Sequence, residues 1–117
     1  MKFTLPLPIS VNAMYRSGYS RKGYMARFKT KEAVQWQHRA LQEIMVQRVR
    51  QVKPPKITGI EVWFYRIDNR RFDCGNHTKL LYDTFVLSGI VKDDNDFTDE
   101  HLHKRKAERA YCEVFIT

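Results

Sequence analysis

The chain has 117 residues, with 21 Lys plus Arg against 13 Asp plus Glu, a net charge of +8 and a pI near 9.7. At 43% apolar and 29% charged residues it has the composition of a folded protein and not of a disordered one, and its length favours one domain over residues 1–117. The basic balance points to a polyanionic partner, nucleic acid first. Cys74 and Cys112 are too few for a disulfide framework and lack the spacing of a zinc site, so both are expected to be reduced thiols in the cytoplasm.

Lys2 to Leu7 alternates up to Pro6 and predicts a short edge strand. Residues 9–28 are expected to form a polar, basic loop. It carries Arg16, Arg21, Lys22 and Arg27 among Tyr15, Tyr19 and Tyr24, a mixture suited to phosphates and to stacking on bases. Thr30 reads as the N-cap of a helix from Lys31 to about Arg50, with Glu32 in its first turn. Val34, Leu41, Ile44, Met45 and Val49 form its apolar stripe, expected to face the core or a second copy. Pro54 and Pro55 stop it.

Ile57 to Tyr65 alternates Ile60, Val62 and Phe64 with Glu61, Trp63 and Tyr65, the clearest strand of the chain. A second helix is expected from about Gly75 to Ser88, ended by Gly89. Phe97 to Lys106 and Ala110 to Ile116 read as a hairpin joined near Glu108. His101 and His103 share one strand face, expected to be an exposed polar one. The element order is β-α-β-α-β-β: a compact α/β (α+β) domain whose mixed sheet is packed by two helices. No apolar run approaches the roughly 18 residues of a membrane span, and no signal peptide is apparent before the first strand.

The chemistry gathers between Phe72 and Asp94. Asp73 precedes the second helix, and Asn76, Lys79 and Asp83 fall on one of its faces at i, i+3 and i+7. Asp93 and Asp94 follow the helix. Each feature alone has a plain structural reading. Asp73 is a cap, Lys79–Asp83 is a surface ion pair worth about 0.3–0.5 kcal/mol, and residues 93–96 are an exposed acidic turn. Together, carboxylates at both ends of one helix with a lysine between them fit a hard divalent cation such as Mg²⁺. Such a site suits phosphodiester hydrolysis, in which the cation polarises the phosphate and lowers the pKa of a water, and Lys79 stabilises developing charge.

The pattern D-x-x-N-x-x-K, an aspartate four residues on, a glycine and a D-D pair resembles the RusA family of Holliday-junction resolvases, the crossover junction endodeoxyribonucleases. Here it is Asp73, Asn76, Lys79, Asp83, Gly89, Asp93 and Asp94. The opening LPLPISVNAMYR and the helix starting TKEAVQW are similar to the family's first strand, loop and helix. The resemblance implies a Mg²⁺-dependent homodimer (Mn²⁺ substituting) that nicks four-way DNA junctions symmetrically. It implies a bacterial cytoplasmic protein of the kind phages and prophages carry. Asp73, Lys79 and Asp94 would then be catalytic. Asp73, Asp94 and Asp93 would hold metal, with Asn76 and Asp83 in support. The basic residues of the 16–31 loop (Arg16, Arg21, Lys22 and Arg27 among them), Arg70 and Arg71, and the 104–106 run would hold the DNA backbone. One position departs: the family motif is D-x-D-N, and the second aspartate is Gly75 here. A DNA-binding protein with weakened or absent cleavage is therefore the alternative. An RNA-binding module leaves the Asp73–Asp94 pattern without a use.

Overall fold

The computed structural model describes all 117 residues. In chain order they form β1 (Lys2–Leu5), a hairpin of β2 (Tyr15–Tyr19) and β3 (Met25–Lys29), α1 (Lys31–Arg48), β4 (Gly59–Arg66), α2 (Lys79–Leu87), β5 (Asp99–Lys106) and β6 (Tyr111–Ile116). The main sheet has the order β1-β6-β4-β5, with β4 and β5 parallel and the other pairs antiparallel. This is the expected α+β domain with a mixed sheet and two helices. No helix is long and apolar enough to cross a membrane.

Alternation decides which sheet face is covered. Phe3, Leu5, Ile60, Val62, Phe64, Cys112, Val114 and Ile116 point one way and are buried with residues of both helices. Each large side chain removed from water contributes about 1.5–3 kcal/mol. Trp63, Tyr65 and Tyr111 point the other way and are only partly covered. There Trp63 stacks on His103 at 3.9 Å, and His103 Nε2 lies 3.0 Å from Glu61. His101 is exposed as the sequence predicts, whereas His103 is half-buried against Trp63. Cys112 is fully buried, which pushes its thiol up to about 12 and keeps it unreactive.

Four expectations need correction. Residues 9–28 are not a plain loop: they hold a 3₁₀ turn (Val11–Ala13) and most of the β2–β3 hairpin. The stripe on α1 is also rotated. Ala33, Trp36, Ala40 and Ile44 face the core, while Val34, Met45 and Val49 are exposed. Small Ala33 and Ala40 let the helix lie close to its neighbours, and Trp36 Nε1 donates to the Pro6 carbonyl at 3.2 Å. Thirdly, β5 and β6 do not pair with one another, because β4 lies between them. β5 carries one inward apolar residue, Leu102, among seven polar ones, a composition suited to an edge. Finally, α2 starts only at Lys79; residues 74–77 form a 3₁₀ turn, since Gly75 and Asn76 are poor helix formers.

The start of α1 agrees with its sequence. Thr30 Oγ1 accepts from the Ala33 N–H at 3.2 Å and donates to the Ala13 carbonyl at 2.7 Å. Thr30→Ala should lower stability by about 1 kcal/mol, read as a lower urea midpoint with an unchanged slope. An unchanged midpoint would mean that the neighbouring Thr30 N–H bond to Met14 suffices to anchor the helix.

Candidate functional site

Between α1, α2 and the segment after α2 lies an open groove of about 420 Å³. It is lined by Lys29, Gln37, Lys79, Asp83, Val86, Leu87, Lys92, Asp93 and Asp94. The i, i+4 spacing on α2 brings Lys79 Nζ to 3.0 Å from Asp83 Oδ1. That bond, then the Asp83 charge, holds the Lys79 ammonium above its ordinary range, and the Asp94 charge adds to it. Lys79 is therefore a cation within the field of both acidic groups.

Asp93 and Asp94 come from a short 3₁₀ turn, Asp94–Asp96, that follows α2. Asp93 caps this turn by accepting from the Asn95 N–H at 2.9 Å. That bond, then one with Asp94, holds Asp93 below the usual carboxylate range. Asp94 is pushed up by its hydrogen bond with Asp93, then by burial and by the Asp93 charge; Lys79 offsets part of this. Two carboxyl groups this close, both ionised, repel one another unless a proton or cation lies between them.

Asp73 is placed differently. It caps the Cys74–His77 turn, with Oδ1 accepting from the Gly75 N–H at 3.0 Å, and it is not among the residues lining the groove. Asn76 lies in that turn, its N–H donating to the Asp73 carbonyl at 3.1 Å. His77 stacks on Phe72 at 3.9 Å, and its Nδ1 lies 2.8 Å from the same carbonyl. A carbonyl only accepts, so His77 carries its proton on Nδ1.

The donor chemistry admits a cation in one form only. No three His, Cys, Asp or Glu side chains converge closely enough to cage a metal ion. Two carboxyls do stand together, Asp93 and Asp94. That fits Mg²⁺, which usually takes one or two carboxylates and keeps its other positions for waters and substrate phosphates.

A second concavity, about 240 Å³, lies where β4 and β5 end. Arg66, Asp68, Asn69, Arg70, Arg71, Lys104, Arg105 and Lys106 line it, with no apolar residue. Six cations stand against one carboxylate, and Asp68 is bound to Arg66 at 2.8 Å. Lys104 Nζ donates to the Phe72 carbonyl at 3.2 Å, which joins this basic groove to the residue before Asp73. Arg70 and Arg71 are thus in a basic groove. Arg16, Arg21, Lys22 and Arg27 are on the hairpin instead, with Arg27 over the Tyr15 ring at 4.6 Å and Arg16 over Phe28 at 5.4 Å.

Sequence reasoning missed Arg66 and Gln37. Gln37 is buried, accepts from Lys29 at 3.2 Å and donates to Thr84 Oγ1 at 3.1 Å, tying the hairpin to both helices beside the acidic groove. Its signal is a polar residue on the face set by Ala33, Ala40 and Ile44. Arg48, by contrast, is structural: its Nη1 donates to the Ser88 carbonyl at 3.0 Å.

A sequence model of the family Endodeoxyribonuclease RusA matches residues 8–117, nearly the whole chain. No curated protein matches it.

Proposed function

The chain belongs to the RusA family of endodeoxyribonucleases, and on that premise we propose that it is a Mg²⁺-dependent, structure-specific nuclease that resolves four-way DNA junctions by paired symmetric nicks. One observation carries this reading: in a chain of net charge +8, Lys79, Asp83, Asp93 and Asp94 meet in a single open groove. Asp93 and Asp94 would hold the cation; Asp73, the third ligand that the family resemblance implies, stands outside this groove. When bound, the cation supplies a polarised phosphate and a more acidic water.

The remaining roles belong to side chains. Lys79, kept charged by Asp83, stabilises the charge that builds on the phosphate as its bond breaks. Asp83 fixes where that ammonium stands, and Asn76 supports the turn that carries Asp73. The basic groove of Arg66, Arg70, Arg71 and Lys104 holds the backbone of one arm, and the hairpin cations hold another. Two strands cut symmetrically require two such sites, supplied by a two-fold homodimer.

Gly75 favours a second reading. It contributes no carboxylate, and no third donor converges with Asp93 and Asp94. That suits a branched-DNA-binding protein whose cleavage is weak or lost. Nicking of an end-labelled synthetic four-way junction, with and without Mg²⁺, separates the two. Paired nicks that appear only with the metal support the resolvase. Tight junction binding without cleavage supports the binding protein. In either case affinity should fall by roughly 10³-fold between about 50 and about 200 mM salt, as six or more phosphate contacts require. Salt-independent binding would sink both.

A further inference from the structure

The β2–β3 hairpin forms a sheet of its own, separate from the main one. Five paired rows at about 3.4 Å each make an arm about 17 Å long. Residues 15–29 hold five cations and no carboxylate. Its base is fixed: Met14 is fully buried, and the Thr30 N–H donates to the Met14 carbonyl at 2.8 Å. Its tip is bare, with Tyr19 75%, Tyr24 70% and Met25 65% exposed. Tight turns favour small polar residues. Three large apolar side chains at the end of a basic arm are left without anything in this chain to cover them.

Their placement is specific. Residues paired across a ladder share a face, so Tyr19 and Met25 lie together on one side. Tyr24 is one residue before Met25, and its carbonyl accepts from the Ser20 N–H at 2.6 Å, which puts its ring on the other side. Between them runs the turn of Ser20 to Gly23, closed by the Gly23 N–H on the Ser20 carbonyl at 2.9 Å. Gly23 has a φ of +81°, a conformation that favours glycine. Behind Tyr24 on its face stand Gly18 and Ala26, and then Arg16 and Phe28, whose side chains reach over Gly18. The tip is a two-stranded blade with an aromatic ring on each side, flanked by Arg21 and Lys22.

We infer that this tip is a branch-point wedge: Tyr19 and Tyr24 stack on the base pairs laid bare where the arms of branched DNA separate. The inference rests on the proposed function and adds the element that discriminates branched from linear DNA. Linear duplex keeps its base faces inside the stack and offers the rings nothing. An open branch point exposes the end pair of each arm, and a two-faced blade meets two of them. The arm's cations act on phosphates, which both DNAs possess, so they supply affinity without preference.

The test compares full-length wild type with the Tyr19→Ser/Tyr24→Ser and Tyr19→Phe/Tyr24→Phe double variants, without Mg²⁺. Each is titrated with a labelled four-way junction and with a linear duplex of equal length. A second junction carries 2-aminopurine at the branch point. The serine variant should lose junction affinity by tenfold or more, hold duplex affinity within about twofold and fail to alter the 2-aminopurine signal. The phenylalanine variant should match wild type. Equal loss on both DNAs, or no loss, overturns the wedge. If the serine variant fails to fold, the wild type still decides, because a 2-aminopurine signal that it leaves unchanged also overturns the wedge. A wild type with no preference for junctions overturns the resolvase reading itself. A preference that survives the serine change overturns the wedge alone.

Discussion

Asp94→Asn should reduce Mg²⁺-dependent nicking of a four-way junction by at least about 10²-fold, as loss of one charge-stabilising group in an active site does, while junction binding holds or rises. Asparagine keeps the volume of the side chain, and its amide N–H can donate to the Asp93 carboxylate. The bond that now pushes Asp94 up is thereby replaced without a titrating proton. The fold has no reason to suffer. The groove loses one negative charge beside Lys79, so the approach of a phosphate becomes easier. A change that lowers cleavage and leaves binding intact acts on the chemical step. The measurement is single-turnover nicking alongside equilibrium binding of the same labelled junction. An Asp94→Asn protein that nicks like wild type removes Asp94 from the site. One that has lost binding as well shows a structural defect, and its melting curve would display it.

How far the sequence revealed this site differs from residue to residue. Lys79, Asp83, Asp93 and Asp94 were legible because helical spacing and a short return segment are local, and local geometry follows from sequence separation. Thr30 and the alternation of β4 were legible for the same reason. Asp73 was legible as a capping residue, but its place outside the groove was not. That depends on Gly75 and Asn76 starting a 3₁₀ turn in place of an α-helix, a difference of small backbone energies.

The hairpin was hidden by composition. A strand pair with YRSGY and MARFK carries no core stripe, and it is held by cross-strand pairs and by guanidinium groups over rings. Such pairs each contribute about 0.2–1 kcal/mol and leave no hydrophobic period to read. The β5–β6 error has a topological cause. Adjacent strands with a four-residue link usually pair. Here the link, residues 107–110, crosses the end of β4, with the Ala107 N–H donating to the Arg66 carbonyl. A span of two strand spacings, about 10 Å, is within reach of four residues. The sequence clue was the polarity of β5, which fits an edge and not the centre. On α1, alanine outranked valine and methionine at the core, because closeness of approach decided the packing. Large apolar side chains alone gave the wrong stripe.

Gly75→Asp should strengthen Mg²⁺ dependence, lowering the metal concentration for half-maximal nicking about tenfold, the scale on which one added group near a metal acts. The backbone permits it: the only glycines with positive φ are Gly23 and Gly89. A Cβ at position 75 would meet only Asp73 Oδ1, at 3.4 Å, an ordinary contact. Asp73 Oδ1 is already satisfied by the N–H of residue 75. The new carboxylate would therefore stand beside an oriented one, with like charges that a divalent cation relieves. Without metal the variant should melt slightly lower than wild type. With Mg²⁺ it should gain more in melting temperature than wild type does, since a ligand that binds only the folded state stabilises it. Gly75→Ala is the control, because it changes backbone freedom without adding charge and should raise stability by about 0.4–1 kcal/mol at unchanged metal dependence. If alanine and aspartate behave alike, the effect belongs to the backbone and position 75 does not face the cation. If aspartate alone responds in both melting and nicking, the turn after β4 and the Asp93–Asp94 pair serve one metal site, and the glycine is what sets its present strength.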